Sequence, residues 1–400
     1  MAALAVLLFA LPVAIVFYKH SAQTLISAVA EKRQKTAAYL ANSAVTDYMR
    51  QFSQDAYNGH YDLSTLSRPE TFTGAGFSSV DFEADSVNRT VFLRATGTYG
   101  SSARPLARKV LEALIQFASD LVQFGVMVNG GWSISSSNVT YFGGFYTNGN
   151  LSITGANVRF QGGPLVVAGN VAGNNAVVDG DLYYSGVSAA NITVLGQTYN
   201  YIPAITWPTL DFAYYDAHYT YKTTVNRTIV FNSTNTFTVV GGATYGIPAD
   251  GAIIYGENCS LTVRGVVSGR VTVVAGSAAA GNCASASGRV IVSDDLYYVG
   301  ASSIAAGPNQ SFAALARNCA RFQKNAANLT AVGVYFVQEG TNNMELAGTA
   351  GFRFQLFGVR TQIVSPSGFA PNSYTYDPNL RSYPPPGLPE KALLVNWNLR

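Results

Sequence analysis

The sequence predicts an α+β protein: a long N-terminal hydrophobic α-helix followed by a mainly-β body resembling a right-handed β-solenoid. Three observations support this prediction. Residues Ala2 to Tyr18 carry no charge, and no Pro or Gly interrupts residues 13–57. Charged residues make up 12% of the chain, about half the usual share. Short apolar strands alternate with turns containing Gly and Asn through the middle of the chain.

The helix is predicted over residues 1–56. As a helix, its uncharged run is about 26 Å long, close to the ~30 Å hydrocarbon core of a bilayer. Behind the run, one apolar face continues through Leu25, Val29, Val45 and Phe52. We therefore expect a transmembrane helix that later packs against copies of itself and forms a filament core.

The charges that flank this helix bear on its topology. Lys19, Lys32 and Arg33 follow the uncharged run and no basic residue precedes it, so the positive-inside tendency places the body in the cytoplasm. Abundant Gly, Tyr and Phe instead suit an extracellular all-β body. These two indications of where the body lies agree if a basic leader peptide preceded Met1 and was removed. A cleaved signal peptide and a simple membrane anchor are the other interpretations of this segment.

A connecting α/β subdomain is predicted over residues 57–125. It contains two strand candidates, residues 77–85 and 89–99. A helix candidate follows over residues 105–124, because apolar residues recur there at helical spacing.

The β-solenoid body is predicted over residues 126–300. Its strands of four to six residues cannot bury an apolar face alone, but stacked coils complete a shared core. Alternation places Leu151, Ile153, Val158 and Phe160 inward. The turns are also short enough for hairpins, so an antiparallel β-sandwich is the alternative.

C-terminal strands and a Pro-rich strap are predicted over residues 301–400, with a helix candidate at residues 311–322. The last 28 residues contain too much Pro for a helix or a central strand, and too many large apolar side chains for a solvated tail. We expect this strap to lie extended over the body, with four side chains in surface grooves: Tyr376, Leu388, Leu394 and Trp397.

Two parts of the chain resemble a known family. The segment KTAAYLANSAVTDYMRQF resembles the helix of PilX-like minor pilins, a type IV pilin-like family. The segments YTNGNLSITGANVRFQGG and GVVSGRVTVVAG resemble the β-solenoid bodies of some such proteins. Pilins usually carry Glu at mature position five, where this chain has Ala5. The resemblance implies assembly through helix residues, for which the candidates are Met1, Ala5, Leu8, Val13, Val29, Val45 and Phe52.

This resemblance implies a structural subunit of an extracellular type IV pilus-like filament, held in the membrane by its helix before assembly. The implied partners are further copies in a helical homopolymer and the inner-membrane pilus assembly machinery. One alternative is a minor pilin or tip adhesin that binds DNA or a surface glycan. The basic residues Arg264, Arg270 and Arg289 could serve it, although ordinary solvated positions explain them better. The other alternative is a membrane-anchored surface domain that never polymerises.

Catalysis is not expected. The best candidates for a catalytic carboxylate pair are Asp179 with Asp181 and Asp294 with Asp295. Both pairs precede the same Leu-Tyr-Tyr sequence, which suits a structural role. The histidines lie far apart in the sequence, and no nucleophile or phosphate-binding motif occurs. We predict no cofactor and no metal site.

Cysteines and sequons suggest covalent modification in an oxidising compartment. Cys259 and Cys283 are the favoured disulfide pair, with Cys319 left over, although three free thiols would also fit. Several Asn-x-Ser/Thr sequons fall in predicted turns, and the glycosylation candidates are Asn138, Asn226, Asn232, Asn309 and Asn328.

Overall fold

The computed structural model describes the helices, the strands and most of the turns. The described residues are 2–54, 76–85, 89–101, 103–187, 191–200, 202, 204–300, 306–307, 309–324, 328–339, 344–348, 353–362 and 373–399. The chain forms two compact units. Unit 1 comprises Met1–Ala56, Tyr61–Ala118 and Lys391–Arg400, and unit 2 comprises Tyr57–His60 and Ser119–Glu390.

The elements follow one another along the chain in this order. Up to the middle of the chain they are α1 (Ala2–Gln54), β1 (Gly76–Asp85), β2 (Thr90–Ser101), β3 (Arg104–Ala118), a 3₁₀ turn (Asp120–Val122), β4 (Val126–Val128), β5 (Trp132–Ile134), β6 (Thr140–Phe142), β7 (Phe145–Thr147), β8 (Leu151–Ile153), β9 (Arg159–Gln161), β10 (Leu165–Val167), β11 (Val171–Ala172), β12 (Ala176–Val178), β13 (Leu182–Tyr184), β14 (Ile192–Val194) and β15 (Thr198–Asn200). The remainder are α2 (Phe212–His218), β16 (Tyr221–Thr223), β17 (Arg227–Asn232), β18 (Thr236–Val239), β19 (Thr244–Gly246), β20 (Ala252–Gly256), β21 (Leu261–Val267), β22 (Arg270–Ala275), β23 (Arg289–Tyr298), β24 (Ser311–Ala316), β25 (Cys319–Lys324), β26 (Asn328–Val337), β27 (Met344–Gly348), β28 (Arg353–Gln362), β29 (Ser373–Thr375), α3 (Asn379–Ser382) and β30 (Lys391–Leu399).

Unit 1 is a helix on an antiparallel sheet. Its described strands pair in the order β1-β2-β3-β30, so the last strand of the chain lies at one sheet edge. Alternate residues of β2, such as Val91 and Leu93, are buried in a core with Ala41 and Tyr48 of α1. The long helix followed by a mainly-β body confirms the predicted α+β class.

The predicted helix over residues 105–124 is wrong, because most of that segment is strand β3. Its apolar residues satisfy two periods at once. Leu111, Ala113, Ile115 and Phe117 alternate and are buried in unit 1. Strand β2 pairs antiparallel with this segment, so the alternating apolar residues form a strand in place of the predicted helix.

Unit 2 is a stack of parallel strands. Its longest sheet has the order β15-β13-β10-β7-β4-β28-β26-β24-β22-β20-β16, and its neighbours on this path are parallel. Further sheets such as β6-β9-β12-β14 repeat the same succession of coils. The parallel pairing agrees with the predicted solenoid-like body and not with the antiparallel alternative. An antiparallel extension, β17-β18-β19, lies beside β21.

The order of coils along the stack is not the order of the chain. The chain enters at the middle with β4 and proceeds outward to β15. It then restarts at the opposite end with β16 and returns to the middle, where β28 pairs with β4. A return segment (residues 204–220) therefore runs along this sheet from β7 to β16, roughly 34 Å at the usual strand spacing.

The return segment follows the outer face of the long sheet. Backbone Ile205 bonds with Tyr146 and Asn148 near β7, and its side chain packs on an outward-facing cluster that includes Met127 and Val166. Farther along, backbone N–H of Leu210 donates to Gln338 at 2.8 Å. These contacts explain why outward positions of the central strands are apolar.

The inward residues of the stack agree with the alternation in the sequence. Leu151, Ile153, Val158 and Phe160 are all at most 2% exposed, which confirms the prediction. Aromatic rings contribute to this half of the core, where Phe145 stacks on Trp132 with 5.1 Å between ring centroids. The core of unit 2 is therefore apolar and continuous from one half of the stack to the other.

Asparagine ladders fix the corners of the coils. Asn157 donates its side-chain N–H to Asn138 Oδ1 at 2.9 Å, one coil away, and both residues have positive φ (55° and 56°). A second ladder joins Asn148 to Asn129 at 2.8 Å. Asn tolerates the left-handed region better than other non-Gly residues, so one residue type provides both the turn and the link between coils.

The predicted helix over residues 311–322 is also wrong. Strands β24 and β25 occupy this segment, and every residue of β24 is buried. A strand buried on both faces has a continuous apolar run instead of alternation, so hydrophobic periodicity could not distinguish this strand from a helix. Residues up to 390 join unit 2, in place of the separate C-terminal stretch predicted from 301.

The strap prediction is confirmed in part. Leu388 is buried, and Tyr376 donates its hydroxyl hydrogen to the backbone oxygen of Val122 at 2.9 Å. Two more bonds hold the strap, from Arg270 to Pro384 O (2.6 Å) and from Tyr215 to Gly387 O (2.9 Å). A short helix, α3, interrupts the extended course that was predicted, and β30 adds an edge strand. The side chains of Leu394 and Trp397 lie outside the described residues.

Candidate assembly interface on the N-terminal helix

Helix α1 is the element on which the predicted assembly residues converge. It extends without interruption over Ala2–Gln54, through Pro12. Its threonine side chains bond within the helix: the hydroxyls of Thr24, Thr36 and Thr46 donate to the carbonyl one turn earlier at 2.8–2.9 Å. The helix is built from good helix formers, with Ala prominent throughout.

The C-terminal half of α1 is seated on its own sheet. Ala37, Ala41 and Ala44 are fully buried, and these small side chains let the helix backbone approach β2 closely. A Cβ on Gly97 would lie 1.9 Å from the carbonyl oxygen of Ala37, so only Gly fits at this position. Tyr48 completes the seat, with its ring centroid 6.4 Å from that of Phe82.

The preceding part of α1 is uncovered. Its large apolar side chains are exposed, with the following fractions: Ile15 48%, Val16 65%, Phe17 69%, Tyr18 78%, Leu25 66%, Ile26 68% and Val29 39%. So many exposed apolar side chains on one element are typical of an interaction surface. We call residues 15–29 of α1 the exposed helix stretch.

Charged residues follow this stretch. Glu31 and Lys35 form an exposed i,i+4 ion pair with 2.6 Å between Oε1 and Nζ. Lys35 lowers the pKa of Glu31 through their hydrogen bond and opposite charge, and Glu31 raises the pKa of Lys35 for the same reason. Exposed pairs of this kind contribute little to stability. They mark the boundary between the exposed stretch and the seat.

The predicted assembly residues differ in their exposure to solvent. Val29 lies on the exposed helix stretch, as an assembly role requires. Val45 does not, because it is 5% exposed and packs in the core of unit 1. Met1 and the side chains of Ala5, Leu8, Val13 and Phe52 lie outside the described residues. Sequence periodicity alone could not separate the seated face from the exposed one, since both are apolar.

The predicted membrane crossing has no support from the described helices. Within the residues that the structure describes, no helix combines the length and the hydrophobicity that crossing a bilayer requires.

The predicted disulfide is wrong. Cys283 is bonded to Cys319, and Cys259 is a buried free thiol. The pairing follows from the stack, because the β23·β25 register places Cys319 opposite Arg289, whose guanidinium donates to Cys283 O at 3.0 Å. Burial raises the pKa of the Cys259 thiol to about 11. The third cysteine is therefore an apolar core residue at neutral pH.

The sequon asparagines differ in the state of their side chains. Asn309 is exposed in a turn, and Asn138 is exposed with only its Oδ1 engaged in the ladder described above. Asn232 donates its amide hydrogens to Thr236 and Thr238. Asn226 accepts a bond from the backbone of Ser260, and the side chain of Asn328 lies outside the described residues. Glycosylation stays a prediction, best directed at Asn138 and Asn309.

Two of the three basic residues considered for DNA binding serve the fold. Arg270 donates to the strap as described, and Arg289 donates to Ser260 Oγ at 3.1 Å as well as to Cys283 O. Arg264 is exposed but borders a surface groove with Asp294 and Asp295. Two of these guanidinium groups are therefore engaged within the fold, and the third lies beside carboxylates.

The carboxylate pairs also have structural partners. Asp179 forms an ion pair with Arg159 at 2.9 Å, and Asp181 accepts from Gln197 N at 2.8 Å. Asp295 accepts from Thr330 N at 2.8 Å. In the described part of the chain, no group of three His, Cys, Asp or Glu side chains is placed to hold a metal ion.

Comparisons with known proteins find similarity only at a low score, and only among solved structures. No protein-family model matches the chain, and no curated protein sequence is significantly similar to it. Among solved structures, the crystal structure of the competence-associated pilin ComZ from Thermus thermophilus matches with 12% sequence identity and a TM-score of 0.35. The alignment covers 92% of this chain and 98% of that chain.

Proposed function

We propose that this chain is a structural subunit of an extracellular pilus-like filament that assembles through α1. The observation that supports this most directly is the division of the helix into a seated half and an exposed, apolar stretch. A helix that is partly covered by its own sheet needs other helices to cover the remainder. The resemblance of residues 35–52 to a pilin helix supports the same function.

Each part of α1 has its own partner in this function. Before assembly, the uncharged run Ala2–Tyr18 holds the subunit in the membrane with the help of the pilus assembly machinery. In the filament, copies of the exposed helix stretch cover one another. We assign no catalytic role to the chain, and the asparagine ladders and disulfide act as reinforcement of an exposed body.

The test is a charge placed on the exposed helix stretch. Ile26→Asp introduces a carboxylate at a side chain that is 68% exposed, so the fold of the single subunit should tolerate it. In a filament core the same carboxylate would be buried without a partner, which is strongly unfavourable. We expect filaments sheared from producing cells to fall at least about tenfold, the effect of roughly 1.4 kcal/mol.

The matched control is Gln34→Asp, which adds the same carboxylate to an exposed polar position of the same helix. We expect it to leave the filaments largely intact. Melting temperatures of both purified variants should match that of the unchanged protein. If Ile26→Asp assembles as well as Gln34→Asp, helix-mediated assembly is refuted.

A further inference from the structure

The sheet of unit 1 has charges of one sign at one end. Where β2 meets β3, Arg104 and Arg108 are exposed on either side of Leu106, which is itself 47% exposed. Alternation along β3 places Arg108 on the same face as Glu112, away from the buried Leu111 and its helix. The β2–β3 register shifts by one residue at Leu106, so Leu106 and Arg104 are exposed at an irregular end of the strand. We call Arg104, Leu106 and Arg108 the basic tip.

The opposite sign lies on the edge strand of the same sheet. Asp81 and Glu83 are exposed on β1, which has β2 on one side and no further strand on the other among the described residues. Register pairs Asp81 with Arg94, which bonds to Glu112 at 3.0 Å, so these carboxylates share the outer face with Arg108 of the basic tip. We call Asp81 and Glu83 the acidic edge.

The two charged sites are too far apart to pair within one molecule. Arg108 lies opposite Thr98 of β2, whereas Glu83 lies opposite Phe92, a separation of about 20 Å along the strand. Among the described residues, no ion pair involves Arg104, Arg108 or Glu83. Each site therefore presents a charge that a second molecule can meet.

The direction of α1 orders the two sites along the helix axis. Ala37 lies beside Gly97, whereas Tyr48 contacts Phe82, which is opposite Leu93. The basic tip is therefore displaced toward the exposed helix stretch, and the acidic edge toward the C-terminal end of α1. Copies whose helices pack in parallel with an axial offset would bring the tip of one toward the edge of the next.

We propose that the basic tip of one copy docks on the acidic edge of a second copy and sets the axial register of the filament. This inference rests on the proposed function, because it requires parallel helices. Two arginines approach two carboxylates, with Leu106 covered between them. Complementary charges at such a contact favour the correct partner and register more than they add affinity, and salt weakens them.

Charge reversal with rescue tests the contact. Full chains carrying Arg104→Glu with Arg108→Glu, or Asp81→Lys with Glu83→Lys, should each yield about tenfold fewer filaments. The chain carrying all four changes should recover, because the signs are complementary again. Co-production of the two reversed chains should also recover, since alternating copies present opposite charges. The matched control is Arg264→Glu with Asp250→Lys, which reverses exposed charges on unit 2 and should have no effect.

A second measurement does not depend on filaments. Purified full chain with Leu106→Cys is mixed with full chain carrying Ser79→Cys, on the same face of β1 as Asp81, under mild oxidation, and we expect a disulfide-linked pair that the tip reversal suppresses. Folded variants that assemble normally after either reversal, or that are not rescued, overturn the docking contact. Loss with the tip reversal alone also overturns it, because a membrane surface or a nucleic acid would need only the basic tip. If filaments respond to Ile26→Asp but not to these reversals, the proposed function stands without this contact.

Discussion

The seat of α1 on its sheet depends on the absence of one side chain. A methyl group at Gly97 would lie 1.9 Å from the carbonyl oxygen of Ala37 and 2.5 Å from the amide nitrogen of Ala41. Both are backbone atoms of a helix, so no rotamer change can make room. Gly97→Ala therefore forces the helix away from the sheet by about 1.5 Å if ordinary contact distances are to be restored.

The cost follows from what this displacement separates. Ala37, Ala41 and Ala44 are fully buried and have no flexible atoms with which to fill the gap. Overpacking of a close contact typically costs about 1–3 kcal/mol, and a rigid backbone neighbour places this site at the upper end. We expect unit 1 to lose about 3 kcal/mol of stability, with little change in unit 2.

Amide hydrogen exchange on the full chain measures the two units separately. We expect faster exchange at α1 residues 37–48 and unchanged exchange in the buried strand β24 of unit 2. Gly246→Ala is the matched control, because a Cβ there meets no atom within 4 Å and its backbone has an ordinary φ. If protection of α1 is the same in both variants, the close approach of helix and sheet is refuted.

Three further predictions concern unit 2. Asn157→Ala should lower the free energy of unfolding by about 1–2 kcal/mol, because it removes the ladder bond to Asn138 and places Ala in a left-handed turn. Asn157→Gly should lower it less, because only the bond is lost, and denaturant unfolding of both variants measures the difference. Cys319→Ser should cost about 3–4 kcal/mol, given a disulfide with a sequence separation of 36, while Cys259 should resist alkylation below pH 9 until the protein unfolds. Leu388→Ala should cost about 2–5 kcal/mol and release the strap to proteolysis, whereas equal protease resistance would contradict its anchoring role.

Local pattern predicted those parts of the fold in which one face of an element is buried. Val158 and Phe160 alternate with polar neighbours, and the structure buries both. The same rule failed for β24, whose residues are buried on both faces and so resemble a helix in sequence. Helix and strand patterns differ only when solvent covers one side.

Sequence repeats predicted the strands less well than hydrophobic periodicity did. The two LYY segments that follow Asp181 and Asp295 are alike in sequence, yet the first begins a new strand after a turn and the second continues strand β23. The disulfide depended on the same long-range information. Which cysteines meet is decided by the register of β23 on β25, and nothing local to Cys259, Cys283 or Cys319 encodes that register.

The order of coils makes unit 2 more cooperative than an ordinary solenoid. Where each coil contacts only its neighbours in sequence, ends fray and coils are lost one at a time. Here the first strand of the stack, β4, and one of its last, β28, meet at the centre, so neither half can leave without breaking this junction. The return segment and the strap cross several coils and tie distant parts of the sheet together. The entropic cost of closing such long loops grows only slowly with their length, so a chain of this size can accept the cost in exchange for a stack that does not fray.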